Sequence, residues 1–492
     1  VQEDFSGLRI PFNGARGIAL EVQTRNALVI GAALGATCAL FGLLIAIGSP
    51  LLAFGALFGA ALGLYALTNL NFALYLTVAI IALLPFGTLP VRFALTPTFI
   101  DVALGAFLLV YLFEWMTRRR EQFRFAPAQL LIVLFIGWCL FSFVAGLGHA
   151  LLTTNVLRKF VEMLLSMVTA IVIVDVARDE QRLARIAFAM IVFGALQAAL
   201  GVLLYLLNDQ TTLTLLNALG RFGYPRGDVL RYIEDNPLLG ERAIGTWVDP
   251  NAYGGFLLMF GVVALANALN KAPAIGGRAL AWLLFAPYPL AILLTQSRGA
   301  WLAFGAAIFF IALLRYRWLL AIGALSLALL LSLPFMARYV ERFLDGLQGE
   351  DLATQMRFGE FKDSLTLIGR YPLLGVGFAG TPDRDIYLGV SSTYLKIGNA
   401  TGITGIALFS LILLETLRYG LARWRRLRRT GLDALWLGFA AAVFGVAING
   451  VVDHYYFNLE FHAVSLAFWL IVGLALATAR ATRCHDSQTS TA

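Results

Sequence analysis

Runs of roughly 16–23 apolar residues recur from Leu28 to Leu476, broken by short polar stretches. That is about the length a helix needs to cross a hydrocarbon core of about 30 Å. Inside lipid each backbone N–H and C=O must be satisfied within the segment, so the pattern predicts helices. The short alternating segments of a β-barrel are absent. The expected spans are 27–47, 50–67, 71–86, 98–116, 128–147, 158–176, 186–206, 250–269, 279–296, 299–314, 318–335, 401–417, 433–452 and 461–478. The fold class is therefore all-α, a polytopic transmembrane helix bundle of about 12–14 spans.

Composition agrees with that pattern. Hydrophobic residues make up 60% of 492 and charged residues 13%, more apolar surface than a water-soluble exterior can hide. The net charge is +8, and its placement indicates topology rather than a nucleic-acid partner. Arg118, Arg119, Arg120 and Arg124 follow the fourth span; Arg178, Arg182 and Arg185 the sixth; Lys271 and Arg278 the eighth; Arg315 and Arg317 the tenth. Arg418, Arg423, Arg425, Arg426, Arg428 and Arg429 follow the twelfth. Basic loops stay cytoplasmic, which puts both termini inside and the odd-numbered loops outside a cytoplasmic (inner) membrane. Polar residues 1–25 show no cleavable signal peptide.

The organisation expected is a cytoplasmic segment 1–25, transmembrane helices 26–206, an outer loop 207–249, and central helices 250–335. A large outer loop 336–400, last helices 401–479 and a cytoplasmic tail 480–492 complete it. The large loop carries helical spacings at Met336, Tyr339, Val340, Phe343 and Leu344, and at Phe358, Phe361, Leu365 and Ile368. These read equally as surface-lying helices. Cys38, Cys139 and Cys484 make no disulfide or zinc pattern.

The chemistry should sit where charge meets the membrane border. Arg298, in Ser297-Arg298-Gly299, has almost no loop around it; it either snorkels to the headgroups or serves function. Arg242 precedes Asp249-Pro250-Asn251, which is a helix start with an Asp cap and Pro in the first turn. Such a start also attracts anions, and arginine's planar fork suits phosphate. A third cluster holds Arg357, Glu360 and Arg370 ahead of Gly375-Val376-Gly377. A fourth holds Asp453, His454 and His462 among aromatics that equally suit an interfacial belt. Zinc would need further ligands at suitable spacing, which this segment does not supply.

Taken together, Gly245-Thr246-x-x-Asp249-Pro250-Asn251, Ser297-Arg298-Gly299, Arg357-x-x-x-Phe361 and Pro372-Leu373-Leu374-Gly375-Val376-Gly377 form an ordered set, followed by Tyr394-Leu395 and Gly402-Ile403-Thr404-Gly405. The set resembles the O-antigen ligase/polymerase superfamily of bacterial envelope enzymes. That resemblance implies a membrane glycosyltransferase of the C-type fold, acting on a polyprenyl-diphosphate-linked glycan donor outside the cytoplasmic membrane. The glycan passes to a glycan or lipid-glycan acceptor, with no metal, nucleotide sugar or other cofactor. The partners are membrane lipids and envelope polysaccharide assembly proteins, and no nucleic acid. It also implies that Arg242 and Arg298 clamp the diphosphate. Family ligases carry a His-Asn pair where this chain has Ser391-Ser392, which favours a polymerase over a ligase. The candidate catalytic residues are Arg298, Arg242, Glu360, Asp453, His454 and Ser391, and the candidate substrate-binding residues Arg242, Arg298, Asp249, Asn251, Arg357 and Arg370. The rival readings are a multi-span transporter or flippase, which would show mid-span charges and internal symmetry, and a membrane scaffold.

Overall fold

The computed structural model describes residues 50–89, 96–120, 122–123, 125–273, 277–332, 348, 352–381, 383, 385 and 389–489. The expected first span and the 336–344 stretch lie outside these. Residues Val1–Thr68 and Asn69–Ala492 form two compact units. In the first, α1 runs from Pro50 to Ala66.

The second unit is a helix bundle whose elements fall on the apolar runs. It begins with α2 (Leu70–Leu83), α3 (Phe99–Met116), α4 (Pro127–Gly146), α5 (Thr154–Val176), α6 (Glu180–Leu206) and the short α7 (Asp209–Ala218). After a two-stranded ribbon, β1 (Arg231–Tyr232) against β2 (Glu241–Arg242), comes α8 (Pro250–Leu269). The run at 279–296 is two helices, α9 (Arg278–Phe285) and α10 (Pro287–Leu294), because Pro287 removes a ladder donor and starts a fresh first turn. Then follow α11 (Arg298–Leu314), α12 (Trp318–Ser332), α13 (Leu352–Arg370), α14 (Thr393–Leu421), α15 (Trp424–Thr430), α16 (Asp433–Asn449) and α17 (His462–Thr489). Six helices among the described residues are long and apolar enough to cross a bilayer. The chain is thus an all-α, multi-pass membrane protein.

Helix α8 is the centre. It is apolar all round, and every residue after Asn251 is buried, as expected for a core helix. Its neighbours approach closely through small residues. A Cβ on Gly254 would lie 2.7 Å from the Ala300 Cβ of α11, and one on Gly438 of α16 would lie 3.1 Å from the Val263 Cα of α8. Helices in lipid associate by such packing rather than by a hydrophobic gradient. Around this core, α17 packs on α5, α16 on α8 and α11, α14 on α4, and α6 on α2 and α8.

The two ends of the bundle differ in chemistry. At one, wholly buried Asp175 at the end of α5 takes Arg178 at 2.8 Å and Arg120 at 3.2 Å. Arg315 pairs with Asp433 at the same end of α11 and α16. These arginines come from the basic loops, and their carboxylate partners fix helix ends. The opposite end gathers the starts of α8, α11, α14 and α17 with the end of α16.

Helix α14 begins eight residues before the expected span and breaks at Gly402, where φ is 70° and ψ is −171°. Essentially only glycine populates that region. The break frees the Ile403 N–H to donate to Pro372 O at 2.7 Å, and a Cβ on Gly402 would collide with the Leu373 carbonyl. Gly402→Ala should therefore cost about 2–3 kcal/mol and lower the thermal midpoint of the detergent-solubilised chain. Gly305→Ala, at a helical glycine with open space around it, should leave the midpoint unchanged or slightly raised. Equal midpoints for the two variants would refute the strain account.

Candidate functional site

Arg242 ends the small ribbon, opposite Arg231. Beyond it the chain turns sharply, with Gly245 at φ 53° and Val248 at φ 62°. A β-branched residue in the left-handed region is strained, and the surroundings hold it there. Trp247 is wholly buried, stacks on Phe256 at 4.7 Å and donates to Ala82 O at 3.3 Å. The turn delivers Asp249 to the head of α8, where one carboxylate oxygen accepts from the Asn251 and Ala252 N–H groups at 2.9 and 2.8 Å. Arg242 folds back over this head. Its Nη2 donates to Asn251 Oδ1 at 2.6 Å and its Nε to Thr295 O at 2.9 Å. Burial draws its pKa below the ordinary arginine range, with Asp249 opposing; a guanidinium nevertheless stays charged.

Thr295 lies in the turn that starts α11. Gln296 sits at φ 55°, and Ser297 caps the helix by accepting from the Ala300 N–H. Arg298 is the first helical residue and reaches Thr354 Oγ1 of α13 at 3.5 Å. The heads of α8 and α11 therefore stand side by side, joined by the Arg242–Thr295 bond. Both present the positive end of a helix dipole.

Helix α13 leans one stripe on this place. Thr354, Arg357, Glu360 and Ser364 recur at spacings of three and four, so they share a face. Arg357 lies 3.8 Å from Asp453. Glu360 accepts from the Ser391 N–H at 2.9 Å, and Ser364 accepts from the Asn399 side chain at 3.0 Å.

Asp453 follows α16 and is 2% exposed. Its Oδ2 accepts from Asn449 Nδ2 at 2.9 Å, and a Cβ on Gly299 would lie 2.7 Å from that same oxygen. Only glycine beside Arg298 lets the head of α11 meet this carboxylate. Burial raises the Asp453 pKa to about 6, while Arg357, Asn449 and Arg242 favour the ion and oppose it. His454 goes the other way, down to about 3, because it is buried and faces Lys396 and Arg357. Asn458 Nδ2 donates to its Nδ1 at 2.8 Å, so the neutral ring carries its proton on Nε2. Tyr455, also buried, meets the side chains of Asp249 and Asn251.

The structure thus gathers Arg242, Asp249, Asn251, Arg298, Arg357, Glu360, Ser391, Asp453 and His454 on one end of the bundle. Arg370 stands apart. It is exposed at the far end of α13 and pairs with Asp383 and Asp385, each at 3.1 Å, thirteen residues or about 20 Å along the helix from Arg357. Three members escape sequence reasoning. Tyr455 reads as one aromatic among many, and Asn449 as the tail of an apolar run. Lys396 has Glu360 and Glu460 as carboxylate neighbours; its signal is a lone lysine four residues after the Ser392 cap.

Comparison with known proteins bears on this end of the bundle. No curated protein matches the chain. One solved structure, described as "Structural coordination of polymerization and crosslinking by a peptidoglycan synthase complex", is 16% identical with a TM-score of 0.38, over 71% of this chain and 97% of that one. That likeness is too loose to support any inference. The O-antigen ligase family model matches residues 279–410, which run from α9 into α14 and include Arg298, Arg357, Glu360 and Ser391. The resemblance read from the motifs is borne out over that segment, where residues 279–410 are similar to the O-antigen ligase family.

Proposed function

We propose that this protein is a membrane glycosyltransferase that transfers glycan from a polyprenyl-diphosphate-linked donor on the outer face of the cytoplasmic membrane, as a polymerase rather than a ligase. The observation that carries the reading is the joined heads of α8 and α11, where Arg242 bonds Thr295 O and Asn251 and Arg298 opens the second helix. Two helix N-termini and two guanidinium-bearing residues make a place suited to a diphosphate. Arg357 adds a third cation beside Asp453.

In this reading an acceptor hydroxyl attacks the anomeric carbon and the C–O bond to the diphosphate breaks. Negative charge grows on the departing diphosphate, and the preset arginines stabilise that charge more in the transition state than in the ground state. Asp453 accepts the hydroxyl proton. A pKa near 6 keeps it ionised at neutral pH yet basic enough to serve. His454, held neutral, is the poorer candidate for a base, and Glu360 is engaged with Ser391 N–H. Ser391-Ser392 serve the start of α14: Ser392 caps it and donates to Gly450 O at 3.3 Å. Arg370, occupied by two aspartates, has no part in the clamp.

Arg242→Ala and Arg298→Ala should each lower donor turnover at least about 100-fold, and the lysine variants should recover part of it. The measurement is polymer formed and lipid-linked donor accumulated in the native host, with membrane content of the variant checked. Full turnover in either well-folded alanine variant would remove that arginine from the mechanism.

Asp453 yields two pH dependences of opposite sign. As a base it must be ionised, so kcat/KM should rise through about pH 6. Its folded pKa lies above the unfolded value, so its contribution to stability is full at low pH and lost as pH rises through about 6. Asp453→Asn should therefore be more heat-stable than the native chain at pH 8, with the gap closing near pH 4, while its turnover should fall steeply below the native value at pH 8 and approach it near pH 4. His454 is unchanged in the pair and cancels. Retained activity with an unaltered pH profile in Asp453→Asn would exclude it as the base.

A further inference from the structure

A second cluster lies toward the same end of the bundle, between the starts of α3 and α17 and the first half of α5. Asp101, Glu162 and His462 each turn one ligand atom inward, and the three atoms lie within 4.8 Å of one another. His462 Nδ1 is 3.6 Å from Asp101 Oδ1 and 3.8 Å from Glu162 Oε2. The residues come from positions 361 apart in the chain, which is why no local spacing announces them.

The outer oxygens of both carboxylates are already taken. Arg158 Nη1 lies 3.2 Å from Glu162 Oε1 and 3.7 Å from Asp101 Oδ2. The latter oxygen also accepts from the Thr98 N–H at 2.7 Å, closing the cap of α3. Asp101 Oδ1, Glu162 Oε2 and the His462 ring face one another on the inner side. That ring is 9% exposed, and neither of its nitrogens has a hydrogen-bond partner. A histidine so buried and so unpartnered is unusual, and it is aimed between two carboxylates. Those carboxylates would repel each other unless a shared proton or a cation lay between them; Arg158 supplies positive charge on the outer side only.

We propose that Asp101, Glu162 and His462 form a site for one divalent first-row ion of the Mn²⁺ or Zn²⁺ type. One imidazole and two carboxylates are a donor set such ions accept, with the remaining positions left to water. Ligation needs a modest contraction, from the present separations to about 3 Å between donor atoms, which side-chain rotation provides. Arg158 acts behind the ligands: it orients both carboxylates and leaves their inner oxygens for the ion. Two carboxylates and one guanidinium leave one negative charge, which a dication more than balances.

The ion would tie the starts of α3 and α17 to the first half of α5. It would also brace the candidate active site, because Phe461, next to His462, lies edge-on to Tyr455 at 4.5 Å and near His454 at 6.0 Å. The site stands on its own geometry, whatever reaction the protein performs.

The test uses the full chain in detergent, stripped with a chelator and then loaded with Mn²⁺ or Zn²⁺ alone. One equivalent should remain after desalting, the thermal midpoint should rise, and bound Mn²⁺ should show magnetic coupling to an imidazole nitrogen. Glu162→Gln and His462→Gln should each weaken binding at least tenfold. The alternative is an imidazolium lodged between the carboxylates; the native chain would then retain no ion, and the proposal falls. It falls equally if bound Mn²⁺ lacks nitrogen coupling, or if both variants bind as the native chain does. The nitrogen signal is read on the unaltered protein, so a variant that fails to fold leaves the test intact.

Discussion

A single carboxylate-bearing residue holds the functional end of the bundle in register. The Asp453 carbonyl accepts from the Thr393 N–H at 2.9 Å and from its hydroxyl at 2.8 Å, fixing the start of α14. Its carboxylate accepts from Asn449, lies against Gly299 at the head of α11, and faces Arg357 of α13. Tyr456 donates to Asn449 Oδ1 at 2.7 Å and holds that amide in place. Four helices meet at one residue that is almost wholly out of water. Burying a carboxylate costs several kcal/mol unless hydrogen bonds and opposite charge offset it. Here the offset is partial, and the residual cost is the raised pKa.

That residual cost makes chemical sense. A fully satisfied aspartate would be a weak base and a good strut, whereas one left short of partners stays basic. The neighbouring strain has the same character. Val248 and Gln296 both sit at positive φ, one just before each helix head. Such conformations persist only where surrounding structure imposes them. They aim Asp249 into the cap of α8 and Ser297 into the cap of α11, leaving Arg242 and Arg298 beside the two N-termini.

Much of the fold could be read from hydropathy because lipid allows the chain few alternatives. The helices Phe99–Met116 and Pro250–Leu269 fall within a residue of the apolar runs. Reading failed where polar residues belong to a helix. Thr393, Lys396 and Asn399 look like loop, yet they form the first turns of α14, where Thr393 bonds Asp453, Lys396 has acidic neighbours and the Asn399 Nδ2 donates to Ser364. In the candidate site, Arg242, Asp249, Asn251 and Arg298 were legible because each lies on or beside a local signal, a helix cap or a charge at a span boundary. Arg370 carried the same signal as Arg357 in one-dimensional pattern. Only the fold reveals that its carboxylate partners, Asp383 and Asp385, lie on the next loop.

Charge balance connects the proposed base to the proposed clamp. Arg242, Arg298, Arg357 and Lys396 supply four cations, and Asp249, Glu360 and Asp453 three carboxylates. Asp249 is committed to the α8 cap and Glu360 to Ser391 N–H, so Asp453 is the carboxylate most able to change state. In the proposed reaction it takes a proton as the donor bond breaks. The site then becomes one unit more positive in the step that makes the leaving diphosphate one unit more negative. Arg357, released from part of its pairing with Asp453, is freer to turn toward that new charge. A low-dielectric setting enlarges this coupling, and the near-complete burial of Asp453 supplies such a setting. Proton acceptance and leaving-group stabilisation then become one electrostatic event, which a solvent-exposed base could not couple to the clamp.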